Sequence, residues 1–126
     1  MTALLLVLPA CAPLVEIGDG RLVLTNSAAF RAYAEEVFRR HNMAAVAIID
    51  ALDAVGDESP DAAALEQADE EMLQACETLN LLAIARRDGK KVSRRQLRAI
   101  VPAVPRCSSA TAHAESLIEK VGPEFI

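Results

Sequence analysis

The stretch Ser27–Val55, SAAFRAYAEEVFRRHNMAAVAIIDALDAV, decides how the chain folds, because its apolar residues recur at helical spacing and no Gly or Pro interrupts them. Phe30, Ala34, Val37, Phe38, His41, Ala45, Ile48, Leu52 and Val55 fall on one helix face, whereas Arg31, Glu35, Arg39, Asp50 and Asp53 fall elsewhere. An apolar face about eight turns long needs a cover. The spacing predicts a helix over 27–55, with Thr25, Asn26 and Ser27 as candidate N-caps and Gly56 as its stop.

The nearest cover is the next long segment. Ser59 is a good N-cap and Pro60 suits a first helical position, so a second helix over 60–87 folds back on the first as an antiparallel hairpin. Its inward stripe is Leu65, Ala68, Met72, Cys76, Leu79 and Ala83, and Leu73, Leu82 and Ile84 widen it. Acidic residues fill its first half, while Arg86 and Arg87 close it, an order that suits the helix dipole. So broad an apolar surface exceeds what one helix covers. Either the C-terminal segment packs on it or a second copy does, as a homo-oligomer.

Working outward, Gly89 ends the second helix and Ser93 caps a short helix over 93–101. Pro102-Ala103-Val104-Pro105 reads as an extended connection, after which a last helix over 107–121 aligns Cys107, Thr111, Ala114, Ile118 and Val121 before Gly122-Pro123. At the other end, Leu14–Ile17 and Arg21–Leu24 flank the turn Gly18-Asp19-Gly20, a small β-hairpin over 14–24 that must rest on the helices. The expected fold class is therefore mainly α: a helical hairpin, two shorter C-terminal helices and an N-terminal β-hairpin, forming one domain over 11–126.

At 126 residues the chain supports one modest core. Aromatics are only 3% and Trp is absent, which disfavours stacking platforms for bases or sugars. The net charge of −5 argues against generic attraction of the whole chain to nucleic acid or anionic membrane, but the charge is unevenly spread. Between Phe30 and Ala85 twelve acidic residues face three arginines, whereas between Arg86 and Arg98 seven basic residues face Asp88 alone. Arg86, Arg87, Lys90, Lys91, Arg94, Arg95 and Arg98 are the candidate partner-binding residues. Two readings of them stay open: an anion-binding surface for lipid head groups, an acidic partner or nucleic acid, or a solvated turn that offsets the acidic hairpin. Gln96 is the one base-reading amide beside these arginines, thin support for a recognition helix.

Signs of catalysis are scarce. His41 lies on an apolar stripe, where a buried histidine bonded to a neighbour is the ordinary role. Asp50, Asp53, Asp57, Glu58 and Asp61 match no cation-cage spacing, and neither Glu-x-x-His, His-Glu-x-x-His nor Cys-x-x-Cys occurs. His113 falls off its stripe and is expected to be exposed; Ser108, Ser109 and Thr111 beside it lack nucleophile-elbow glycines. No catalytic residue, metal or cofactor is assigned.

Ala3 to Leu8 is an uncharged apolar run leading into Pro9-Ala10-Cys11. It is too short for a transmembrane helix, which needs ~20 residues. The tetrad Leu8-Pro9-Ala10-Cys11 resembles the lipobox of bacterial lipoproteins, over about eleven residues and without a basic n-region. The resemblance implies that residues 1–10 act as a signal-peptide-like segment, that Cys11 is acylated, and that the remainder is lipid-anchored in the bacterial cell envelope facing the periplasm. The competing reading is an apolar first strand or buried arm of a cytosolic protein.

If lipid consumes Cys11, Cys76 and Cys107 remain as a pair, both on apolar stripes. A bond between them would close a loop of about 31 residues and stabilise by roughly 3–4 kcal/mol; two separate buried thiols are the alternative. The functional expectation is a non-catalytic envelope lipoprotein, an accessory or structural component of a protein assembly. Its rival is a cytosolic helical regulator that binds nucleic acid through 86–98.

Overall fold

Three serines start three helices. The computed structural model describes residues 14–17 and 20–122, and in it the Ser27 hydroxyl accepts from the Phe30 N–H at 3.1 Å, opening α1 (Ala28–Val55). Ser59 accepts from the Asp61 N–H at 3.2 Å ahead of α2 (Pro60–Arg87), whose first residue is the expected proline. Ser93 opens α3 (Arg94–Val121) with a full capping box: its hydroxyl accepts from the Gln96 N–H at 3.2 Å, and the Gln96 side chain accepts from the Ser93 N–H at 2.8 Å.

Helix ends are equally explicit. Gly56 stops α1 at φ 79°. Beyond α2 the Gly89 N–H donates to the Arg86 carbonyl and the Lys90 N–H to the Ala85 carbonyl, with Gly89 at φ 68°. This pair of bonds is a Schellman motif, and it satisfies carbonyls that the helix end would otherwise orphan.

Short connections force an up-down-up arrangement, in which α3 covers both members of the hairpin and shares its most extensive interface with α2. Phe30, Val37, His41 and Ile48 of α1 meet Leu65, Met72, Cys76 and Leu79 of α2 and Val104, Cys107, Ala114 and Ile118 of α3 in a core built almost entirely of aliphatic side chains. The residues of the expected inward stripes are buried or half-buried, and Ala44, Ala51 and Ala62 join them. Two residues depart: Leu73 and Ile84 were read as widening the inner face of α2, yet they are exposed, because α1 and α3 together already enclose that helix's buried stripe.

The C-terminal segment corrects the sequence reading. The short helices expected over 93–101 and 107–121 are one continuous 28-residue helix that carries Pro102 and Pro105 inside it. A helical proline forfeits its own N–H bond and crowds the carbonyl four residues back. Here Ile100, Ala103, Val104 and Cys107 are buried between and around the two rings, and that burial outweighs the broken ladder.

The N-terminal hairpin pairs β1 (Leu14–Glu16) antiparallel to β2 (Leu22–Leu24), with Leu14 opposite Leu24, Val15 opposite Val23 and Glu16 opposite Leu22. Val15 and Val23 lie against the helical core and Ile17 is buried, so the two strands rest on the bundle as expected. Gly18 and Asp19 of its turn, the lipobox-like Leu8-Pro9-Ala10-Cys11 and Pro123 lie outside the described residues. Among the described residues no helix is long and apolar enough to cross a membrane.

Candidate functional site

The first turns of α1, the last turns of α2 and the first turns of α3 all lie at the same end of the bundle, and there they do not close on one another. Between them opens a groove of about 760 Å³. Phe30, Ala34 and Phe38 form one wall, Leu79, Leu82 and Ala83 the second, and Leu97, Ile100, Val101 and Pro102 the third, with Thr25 and Asn26 at the mouth. The α2–α3 connection from Asp88 to Ser93 lies at this end, and Pro102, inside α3, lines the groove.

Its rim is charged. Arg31 from α1, Arg86 from α2 and Arg98 from α3 border the groove, with Glu35 as the lone acid. Arg31 donates to the Asn26 carbonyl at 3.4 Å, an exposed and long bond. Arg86 and Arg98 have no side-chain hydrogen bond or ion pair among the described residues. All three guanidinium groups are solvent-facing. A protein with a net charge of −5 thus carries a local positive excess around this apolar groove. The acidic cluster Asp50, Asp53, Asp57, Glu58 and Asp61 is exposed around the α1–α2 connection at the opposite end, so charge is segregated along the bundle axis.

The seven basic candidates read from sequence are all exposed. Arg86 and Arg98 meet at the groove, whereas Arg87, Lys90, Lys91, Arg94 and Arg95 do not line it. Arg87 pairs with Asp88, Nε to Oδ1, at 3.4 Å. Arg31 completes the rim and was not singled out from the sequence. It sits 55 residues from Arg86, and the only local sign was its place off the apolar stripe, a feature shared with every solvated arginine.

Midway along the bundle lies a second grouping. Cys76 and Cys107 form the disulfide, with Cα atoms 4.6 Å apart. The His41 ring and both sulfurs lie within 4.8 Å of one another, and the Thr111 hydroxyl is 3.8 Å from the Cys76 sulfur. His41 is buried, as expected, and its Nε2 pairs with Asn80 Nδ2 at 3.3 Å, while Nδ1 has no hydrogen-bond partner. Burial pushes the imidazole pKa below its ordinary value, and Asp69 only partly opposes this. The ring is therefore neutral at pH 7. As a disulfide, the two sulfurs have no thiolate to offer a metal.

A lateral tie joins α1 to α3. Arg40 pairs with Glu115 and also donates to the Ser108 hydroxyl at 3.4 Å; the bond to Glu115 raises the guanidinium pKa. His113 is exposed, and among the described residues it makes no hydrogen bond to Ser108, Ser109 or Thr111. Compared with protein-family models, curated proteins and solved structures, the chain matches none.

Proposed function

We propose that this protein works by binding rather than by catalysis, as an accessory or structural component of a bacterial envelope assembly, anchored by lipid at Cys11 and facing the periplasm. The observation that carries the binding reading is the apolar groove with Arg31, Arg86 and Arg98 at its rim. Ligand sites are typically concave, mostly apolar and edged by a few polar groups that fix orientation, with volumes of about 300–1,000 Å³.

Two further points support the envelope placement. The Cys76–Cys107 disulfide suits an oxidising compartment. In the sequence Cys11 stands three positions before Leu14, the first residue of β1. Leu14 pairs with Leu24, next to the Thr25 and Asn26 that border the groove. An acyl group on Cys11 would hold the arginine-rich end of the bundle toward the membrane, where basic residues gain from anionic lipid.

Metabolic labelling with palmitate, followed by fractionation, tests this placement. Labelled protein in the membrane fraction, released by detergent and lost from it in a Cys11→Ala variant, is the expected result. Soluble, unlabelled protein with salt-sensitive DNA affinity would instead favour the cytosolic regulator. Crosslinking in cells tests the binding surface: Arg86→Glu/Arg98→Glu should reduce partner capture, and unchanged capture would reject that surface.

A further inference from the structure

We infer that the groove takes a single fatty acyl chain ending in a carboxylate, with the chain on the apolar walls and the carboxylate between Arg86 and Arg98. This inference rests on the binding reading above and names the ligand class for that same site.

The walls exclude most alternatives. They are helix faces whose main-chain N–H and C=O groups are mostly spent on intrahelical bonds, the Arg98 carbonyl opposite Pro102 being an exception. An extended peptide laid along them would leave its own backbone unsatisfied, whereas a methylene chain has no polar groups to satisfy. The apolar part of the lining is aliphatic apart from Phe30 and Phe38, so it offers little for flat heterocycles to stack on. From Phe30 to Phe38 the α1 wall runs about 12 Å, enough to lay down a medium-length acyl chain. Of three helices bordering the cavity, each contributes one arginine to its edge.

Charge decides the head group. Arg86 and Arg98 are unpaired among the described residues and outnumber the acid at the rim. A guanidinium fork matches a carboxylate bidentately, and such charge-assisted bonds are about twice as strong as neutral ones. A carboxylate is also compact, which keeps the ligand's charge between the arginines and off Glu35. An acyl anchor at Cys11, as proposed above, would bring the protein to a membrane surface, where acyl chains are plentiful.

The test uses the full chain, purified and freed of detergent, with 11-(dansylamino)undecanoic acid as the fluorescent probe. Uptake of the probe with a blue shift, and its displacement by laurate and palmitate, are expected. Dodecanol, the uncharged counterpart, should compete about tenfold less well. Arg86→Gln/Arg98→Gln should lose about tenfold in laurate affinity with dodecanol unchanged, a selective loss that misfolding would not produce. Ala83→Trp, which fills the groove from the last turns of α2, should abolish uptake while circular dichroism stays helical.

Equal competition by laurate and dodecanol would overturn the carboxylate assignment. Displacement by lysophosphatidylglycerol but not by laurate would overturn it in favour of a phosphate head group. No uptake by the full chain would overturn the ligand class altogether, whether a second copy, a partner helix or the chain's own Ala3–Leu8 stretch holds the groove. Crosslinked capture through Arg86 and Arg98 that persists without probe uptake would sink this inference alone and leave the binding reading standing.

Discussion

Cys76 on α2 and Cys107 on α3 are bonded at the centre of the bundle, where neither side chain has any solvent exposure. The bond ties α3 to the hairpin by a route independent of the α2–α3 connection, and it closes a loop with a sequence separation of 31. In the chain-entropy account such a closure stabilises by roughly 3–4 kcal/mol, a large share of the ~5–15 kcal/mol that holds an ordinary domain together. Cys76→Ala/Cys107→Ala is expected to lose about that amount in urea unfolding. Reductant should move the wild type in the same direction and leave the double variant where it is. Identical unfolding midpoints with and without reductant would refute the linkage.

His41 yields a pH dependence of definite sign. Its pKa is lowered by burial in the folded state, so above the ordinary histidine value of about 6.5 the ring is neutral in both folded and unfolded chains and contributes no slope. As pH falls through about 6.5, the unfolded chain takes up a proton that the folded ring refuses, and stability declines. The decline ends only below the depressed folded value. Denaturant midpoints should therefore fall between roughly pH 7 and pH 5, ahead of carboxylate titration. His41→Leu should flatten that interval, although it leaves the half-buried Asn80 amide without its ring partner and so lowers stability at every pH. A slope equally steep in the variant would place its source elsewhere.

These two groups also mark how far the sequence could be read. Spacing placed Cys76, Cys107 and His41 on buried stripes, and Ser59 and Ser93 at two helix starts with Ser27 among three candidates for the first, since caps and periodicity are local signals. The continuity of α3 was not legible. Pro102 and Pro105 are the strongest local breakers there are, and only the burial of Ile100, Val104 and Cys107 against two other helices overrides them. The groove was beyond reach for a different reason: it exists because three helix ends stay apart, and no single segment encodes that separation. Arg98 and Arg86 were singled out as parts of a charge run, while Arg31, their companion at the rim, was invisible without the packing.

Pro102 offers a direct check on that override. It is exposed and lies well inside α3. Ala at this position restores an N–H that can reach the Arg98 carbonyl, recovering part of the ~3 kcal/mol a proline costs within a helix. Greater freedom of the unfolded chain takes back about 0.4–1 kcal/mol. Pro102→Ala is thus expected to stabilise by about 1–2 kcal/mol in chemical denaturation. Were 93–101 and 107–121 separate helices in solution, the substitution would have no ladder to mend and would be neutral or destabilising.

The capping box at Ser93 governs one wall of the groove. Ser93 and Gln96 exchange hydrogen bonds, and the next two residues, Leu97 and Arg98, line the groove, so fraying of this first turn would release both an apolar contact and a rim cation. Ser93→Ala should cost about 1 kcal/mol, whereas Ser93→Gly should cost only a few tenths, because Gly tolerates the cap conformation and leaves the end open to water. Global unfolding would record only that modest loss. Amide exchange should be more discriminating: protection at residues 97–100 should fall in Ser93→Ala, while amides of α1 near Val37 and of α2 near Met72 stay protected. Uniform loss across all three helices would mean that the cap supports the whole bundle rather than this wall.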